Sequence, residues 1–487
     1  MAHYRSNYIL IPEPELSFSS VEPSYKSISP LEGLQNWGPY DASIPGFIQR
    51  PSNPIRIAII SVSHKVNLIQ RYVQMLLSEV KLGQIHEYLR DYKGFKQIYG
   101  LNLDIPENLI ERIGTNEIKQ CTNAENPELA FLEVVKRKLK LLGDKREQLD
   151  LIVLFVSREM KDFLEVRGEN YYFNFHDHLK AYSAPSNLKL QLIKEEHLPK
   201  IGNDNNKDTI RKLWWLSSAI YTKTGGIPCK LADRAERAAF IGLAYGIKPG
   251  SGANRIVLGS SHVFDERGEG IRFHLFPIEN PLWGKIIGNK RKNPYMNAED
   301  ARRLFTIIRQ DYQTINSELP SKIVVHKSTP FKKEEIEGIV EALEGINNIE
   351  LLTIQQESLY RTIQGEVKDR KQKVSNFPVK RGTVLPLDKY SFLLWTSGDL
   401  DGVDPRGWHF YQEKRSIPAP LLITRYLGKD PMETVSMDIL KLTKMNWNNL
   451  QIYNKLPVTI EFAHSISDIV KQLESYSHVP KDFRYYI

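Results

Sequence analysis

Cysteine is almost missing from this chain: Cys121 and Cys229 are the only two in 487 residues. They lie far apart and have no His or Cys at metal-binding spacing, so neither a disulfide framework nor a zinc site is supported. A reducing cytoplasm suits such a chain. No run of about 18 apolar residues occurs, which leaves no transmembrane candidate. The opening residues, MAHYRSNYILIPEPELSF, lack a charged segment followed by an apolar core, so no secretory signal is read. Internal repeats and low-complexity tracts are absent as well, which excludes solenoids and disordered arrays.

What remains is an ordinary globular composition, 41% hydrophobic and 25% charged, long enough for two to three domains. The net charge of +8 is a mild excess over this length. It is compatible with nucleic acid as a partner without establishing one.

Residues 1–54 read as an extended arm, because prolines from Pro12 to Pro54 punctuate it and disfavour helix. The segment Leu31 to Asp41 mixes large apolar residues with turn formers, so the arm is expected to pack along the body. From Ile55 the pattern changes. Ile55 to Ser61 reads as a buried strand, Val66 to Leu82 as a helix, Pro127 to Leu142 as an amphipathic helix capped by Gly143, and Leu149 to Val156 as a second strand. Strand and helix in alternation predict a parallel α/β sheet, whose ligands sit beyond the carboxyl ends of the strands. Lys207 to Lys223 reads as a helix that stops at Thr224-Gly225-Gly226. A second α/β unit begins near Ala238, with strands to Gly246, over Arg255–Ser261 and over Gly270–Phe276. A helix over Asn297–Leu319, a strand over Lys322–Lys327 and a helix over Lys332–Leu343 follow. Further strands are expected in Gly402–Tyr426, then helices at Met432–Leu442 and Ser465–Tyr476. The order β-β-β-α-β-α matches a ribonuclease H topology with a mixed sheet.

The stretch Tyr171 to Lys194 carries the first candidate site. His176 and Lys180 are four apart, on one face of a helix; Gln191 follows eleven residues after Lys180, and Lys194 three later. An imidazole, an ammonium and an amide together can cradle a phosphate. Alone, the stretch reads more readily as a solvated helix followed by a strand with unrelated polar residues.

PELSF and GLQNWGPYD near the start, YTKTGGIP in the middle, FIGLAYG, KIVVHKS with KKEEIEGI, DILKLTKMNWNN, KLPVTIEFAHSISDIV and the final RYYI form an ordered set of strings. In that order and spacing they resemble a short prokaryotic Argonaute, composed of a MID and a PIWI domain, with YTKTGGIP at the domain junction and FIGLAYG as the first PIWI strand. The resemblance implies an arm at 1–54, a Rossmann-like MID domain at 55–230 and a ribonuclease H-like PIWI domain at 231–487. It also implies that His176, Lys180, Gln191 and Lys223, with Lys194 as a weaker member, hold the 5′-phosphate of a guide strand. A Mg2+ ion beside that phosphate would be held by the carboxylate of Ile487 and by Gln191. The implied partners are a guide RNA, a single-stranded DNA target, and an APAZ-containing effector (TIR, sirtuin-like NADase or nuclease) acting in defence.

Cutting by such a domain needs carboxylates around two metal ions. The first acid belongs in the third position of Gly242-Leu243-Ala244, where Ala244 has no ligand atom. The second belongs after the strand Ile323–Val325, where His326, Lys327 and Ser328 stand. An ammonium at Lys327 repels a divalent ion. His464 is the one matching position, and on an otherwise apolar strand it reads as structural. Glu266 and Glu269 read as turn residues. No slicing is therefore expected, the rival being a guide-directed nuclease with a rearranged site. GIKPGSG lacks the ending of a phosphate loop and reads as a turn. Asp399, Asp401 and Asp404 lack the closing Glu of a calcium loop. Trp214 and Trp215 are expected in the core, and Lys136, Arg137, Lys138 and Lys140 on a solvated face.

Overall fold

A computed structural model describes residues 8–47, 50–84, 86–169, 171–198, 206–233, 237–247, 256–278, 281–284, 293–356, 359–368, 371–375, 377–401, 403, 417–473, 475 and 479–487. The chain forms two compact units. One comprises Ser17–Cys229, Trp447–Leu450 and Asp468–Ile487; the other comprises Met1–Leu16, Lys230–Asn446 and Gln451–Ser467. The units differ from the expected 1–54, 55–230 and 231–487. The arm is shared out between the units, and Trp447–Leu450 and the last twenty residues cluster with the first α/β domain.

In the first of these units the arm contains a helix, α1 (Pro30–Trp37). Pro30 starts it, where a missing N–H costs nothing, and the Ser29 hydroxyl accepts from the Glu32 amide at 3.3 Å. The expectation of an irregular arm missed this, because proline opposes a helix interior and favours a helix start. Trp37 stacks on Tyr25 at 5.3 Å, and a side chain at Gly33 would collide with the Phe18 ring at 2.0 Å.

The sheet of this unit is built from β1 (Ile55–Val62), β2 (Ile110–Ile113), β3 (Leu151–Val156) and β4 (Leu190–Lys194). All run parallel, in the order β4-β3-β1-β2, with short Leu103–Asp104 also pairing β1. Every residue of β3 is buried, as a parallel strand covered on both faces requires. The longer helices that follow α1 in this unit are α2 (Val66–Met75), α3 (Pro127–Gly143), α4 (Phe175–Ser183) and α5 (Asn206–Lys223). α3 runs through Gly143, so the expected glycine cap is replaced by Asp144. Its buried face, Phe131, Leu132, Val135 and Leu139, packs into one core with Ile60, Leu154 and Leu179.

The other unit is organised on a ten-stranded mixed sheet. Its strands are β5 (Ala238–Leu243), β6 (Ile256–Phe264), β7 (Gly270–Ile278), β8 (Lys322–Lys327), β9 (Asn348–Gln356), β10 (Thr383–Pro386), β11 (Ser391–Leu394) and β12 (Leu421–Leu427), with Ile9–Leu10 and Gly246–Ile247 at the margins. The hairpin β6–β7 lies antiparallel beside β5, while β5, β8 and β9 run parallel. That is the order expected of a ribonuclease H-like fold. β9, β10 and β11 had no counterpart in the sequence reading. Helices α6 (Ala298–Asn316) and α7 (Lys333–Ala342) bury Leu304, Phe305, Ile308 and Ile339 against Ile241 and Val325. α8 (Met432–Leu442) and α9 (Val458–Val470) follow, the latter beginning well before the expected Ser465. Gly242 is obligatory: a Cβ there would sit 1.9 Å from the Thr459 carbonyl oxygen. Residues 248–252 of GIKPGSG, Asp404, and residues 402 and 404–416 of the expected strand region lie outside the described residues. No helix among the described residues is long and apolar enough to cross a membrane.

Candidate functional site

α4 is started by Asn174, whose side chain accepts from the Asp177 amide at 3.4 Å. Phe175 and Leu179 anchor it in the core, and this fixes the direction of Lys180. Lys180 is 1% exposed. Its Nζ donates to the Leu190 carbonyl at 2.8 Å and to the Ile487 backbone oxygen at 2.5 Å. Lys223, the last residue of α5, reaches the same Leu190 oxygen at 3.2 Å. Neither lysine forms an ion pair with an acidic side chain among the described residues.

Two buried ammonium groups on one neutral oxygen are a frustrated arrangement. Burial pulls Lys180 down to about 7. Lys223 falls well below the ordinary lysine value, through burial first and the neighbouring Lys180 charge second. His176 sits one turn before Lys180, its Nδ1 3.2 Å from Asp177 Oδ1. Part of its ring surface, 43% of the side chain, reaches solvent. Dense surrounding protein nevertheless lowers its pKa, opposed by Asp177 and assisted by the two lysine charges. Gln191 follows Leu190 in β4; its Nε2 donates to the Leu192 carbonyl at 2.9 Å, while its Oε1 is buried without a partner.

The structure therefore brings Lys180 and Lys223 together on the Leu190 carbonyl, with the Ile487 oxygen as a second acceptor for Lys180, His176 one turn away in α4 and Gln191 the next residue of β4. It does not bring Lys194 there. Lys194 ends β4, about 13 Å along the strand from Leu190 at the rise of a parallel strand. Leu190 opens that strand, so the lysine cradle sits at the amino end of the sheet, opposite the carboxyl end where a ligand was expected. The Leu190 carbonyl is the participant that sequence reasoning missed, since a backbone oxygen leaves no residue signature.

The donor set does not suit a resident divalent ion. The Leu190 and Ile487 oxygens already accept from ammonium groups, and Gln191 Oε1, buried without a partner, is the one uncommitted oxygen among the expected ligands. An anion suits it.

The second expected centre has different chemistry. Ala244 lies just past the end of β5 and is buried. His326 and Lys327 lie within β8, whose bounds are those of the expected strand. Lys327 Nζ lies 2.7 Å from both Glu335 carboxylate oxygens, in a pair that is almost fully buried. The rings of Tyr245, Tyr295 and Phe331 surround the ammonium at 4.8 to 5.0 Å. Glu335 also accepts from the Tyr245 hydroxyl and from the Lys332 amide at 2.9 Å. His326 is buried, with Nδ1 2.8 Å from Thr459 Oγ1. His464 is on α9 and exposed, not on a strand as expected; its Nε2 lies 3.0 Å from Ser328 Oγ. Among the described residues, no group of three or more His, Cys, Asp or Glu is placed to hold a metal.

The remaining candidates have local explanations. Trp214 is buried edge-on to Tyr92 at 5.5 Å, whereas Trp215 is half-exposed. Asp401 pairs with Lys380, and Glu269 with Lys230. Lys136 pairs with Glu133 at 2.9 Å. Both cysteines are buried thiols.

No family model matches the chain. It is 22% identical over 345 residues to the Argonaute protein of Aquifex aeolicus, spanning 69% of this chain and 41% of that protein. Among solved structures, 99% of the chain superposes on 55% of Clostridium butyricum Argonaute bound to a guide DNA and a 19-mer target DNA, with a TM-score of 0.67 and 15% identity. An Aquifex aeolicus Argonaute with externally bound siRNA gives a TM-score of 0.60, 18% identity, and coverage of 98% of this chain and 56% of that one. The chain thus spans about half the length of these proteins. The fold is Argonaute-like, and the sequence similarity to the Aquifex protein supports the Argonaute family.

Proposed function

We propose that the chain acts as a short Argonaute: a guide-directed recognition module whose lysine cradle holds the 5′-phosphate of a guide strand. The observation that carries this reading is the pair of buried lysines sharing the Leu190 carbonyl, with no acidic side chain as a partner among the described residues. A terminal phosphate supplies the missing charge and accepts from both ammonium groups. It is more highly charged than an internal phosphate, so such a cradle selects a strand end. Gln191 adds an amide. The divalent ion that the Argonaute resemblance suggests is not required, because the two lysines supply the positive charge.

Within this proposal the guide is RNA, the target is single-stranded DNA, and sequence is read by base pairing. The chain itself does not cut. Ala244 offers no ligand, and Lys327 with Glu335 places a satisfied internal ion pair where a second acid would stand. Output then passes to an APAZ-containing effector, of TIR or sirtuin-like NADase type, in defence against plasmids or phage.

The test is a binding titration with 5′-phosphorylated and 5′-hydroxyl strands. Lys180→Ala and Lys223→Ala should each weaken the phosphorylated strand by roughly 10- to 100-fold, as expected for charge-assisted hydrogen bonds, and leave the hydroxyl strand nearly unchanged. Equal losses on both strands refute the cradle. The competing nuclease reading draws on the exposure of His464. Guide-dependent cleavage in Mg2+ or Mn2+ that His464→Ala abolishes would establish it.

A further inference from the structure

The strand order β4-β3-β1-β2, all parallel, is a doubly wound arrangement, and such sheets hold ligands in a crevice beyond the carboxyl ends of their strands. The lysine cradle uses the opposite end. At the carboxyl ends of β3 and β4 lies a separate cavity of about 330 Å3, with Val156 and Lys194, the last residues of those strands, in its wall.

We infer that this cavity is a second anion site, taking a phosphate-bearing ligand of mononucleotide size. The charge distribution around it points that way. Three cations line it, Arg158, Lys161 and Lys194, and none forms an ion pair with a carboxylate among the described residues. Two of the four lining acids are paired with basic side chains outside the lining. Glu195 accepts from Lys65 Nζ at 2.9 Å and from the Arg158 amide at 3.0 Å. Glu165 accepts from Arg167 Nε at 2.7 Å. Asp162 and Glu196 remain, so three unpaired cations face two carboxylates. The volume exceeds that of inorganic phosphate and falls at the lower end of ligand pockets. Val156 and Leu164 supply an apolar surface for a base. This placement also gives Lys194 a setting that the cradle does not.

The site is tested by equilibrium dialysis of radiolabelled AMP against the full chain, with inorganic phosphate and a 5′-phosphorylated oligonucleotide as competitors. One AMP is expected per chain. Lys161→Ala combined with Lys194→Ala should weaken it at least tenfold, whereas Lys180→Ala should change it less than twofold. Lys161→Glu, at an exposed position, provides a second variant in which folding is not at risk. Absence of AMP binding at millimolar concentration overturns the inference. So does AMP that is lost with Lys180→Ala and displaced by the oligonucleotide, since it would then occupy the cradle. Inorganic phosphate competing as tightly as AMP overturns the nucleotide class. Failure of the cradle reading appears separately, as oligonucleotide binding indifferent to Lys180→Ala.

Discussion

Guide binding should be pH-dependent through Lys180. Burial holds this lysine at about 7, so its pKa is depressed and the ammonium is the minority form above neutrality. A bound phosphate requires the ammonium, so binding takes up a proton and weakens as pH rises. With a pKa of about 7, half of the free protein carries the charge at pH 7 and about 3% at pH 8.5, a roughly sixteenfold change in affinity, or about 1.6 kcal/mol. Lys223 lies lower than its ordinary value and steepens the trend. Below about pH 6 the phosphate itself becomes protonated, which sets the acid limit. The assay is fluorescence anisotropy at constant ionic strength with a 5′-phosphorylated strand, divided at each pH by the value for the 5′-hydroxyl strand. The division removes general effects of charge. A ratio that stays level from pH 7 to 8.5 would refute the reasoning, because it would mean that the lysines are already charged in the free protein.

Three further outcomes follow from the same coordinates. Lys180→Met removes a buried cation that has no acidic side-chain partner among the described residues; it should raise unfolding stability by about 0.5–2 kcal/mol in urea titrations while abolishing discrimination for the 5′-phosphate. Glu335→Ala strands the Lys327 ammonium in an aromatic cage and should cost about 3–5 kcal/mol, whereas the double change Lys327→Met with Glu335→Leu should cost less than the single one by the same titration. Gly242→Ala drives a methyl group into the Thr459 backbone oxygen, where no rotamer relieves it; a loss of at least about 3 kcal/mol, or failure to accumulate folded protein on circular dichroism, is expected.

Much of the fold was legible because apolar runs announce buried strands. Ile55 to Val62, Leu151 to Val156 and Ala238 to Leu243 are such runs, and all three became sheet interiors. Asn348 to Gln356 escaped because polar residues stand at both ends of a short apolar centre, although it lies between β8 and β12. α1 escaped because its proline was weighed as a breaker. In the site, the i, i+4 spacing placed His176 and Lys180 correctly on one helix. Which end of β4 they would meet depended on a chain reversal that no local pattern encodes. Hence Gln191, next to Leu190, stayed with the cradle while Lys194 went to the far end. The Lys327–Glu335 pair had a readable trace in KKEEIEG, since Glu335 caps the start of its own helix.

The two centres are separated by one physical question, asked of each buried lysine: whether the protein supplies its counter-charge. Lys327 has it. Both carboxylate oxygens of Glu335 and three aromatic faces surround the ammonium, so a ligand gains nothing by approaching and a divalent metal meets a fixed positive charge. Lys180 and Lys223 have no acidic side chain as a partner among the described residues; Lys180 also donates to the Ile487 oxygen. The two lysines share one neutral oxygen, and their mutual repulsion and desolvation are relieved by an incoming anion. A family pattern marks both positions as functional, but the counter-charge shows which can act. The cradle is destabilised when empty and satisfied when filled, which is the property required of a site that anchors a phosphate. The Lys327 centre is satisfied already, and so belongs to the framework of its sheet.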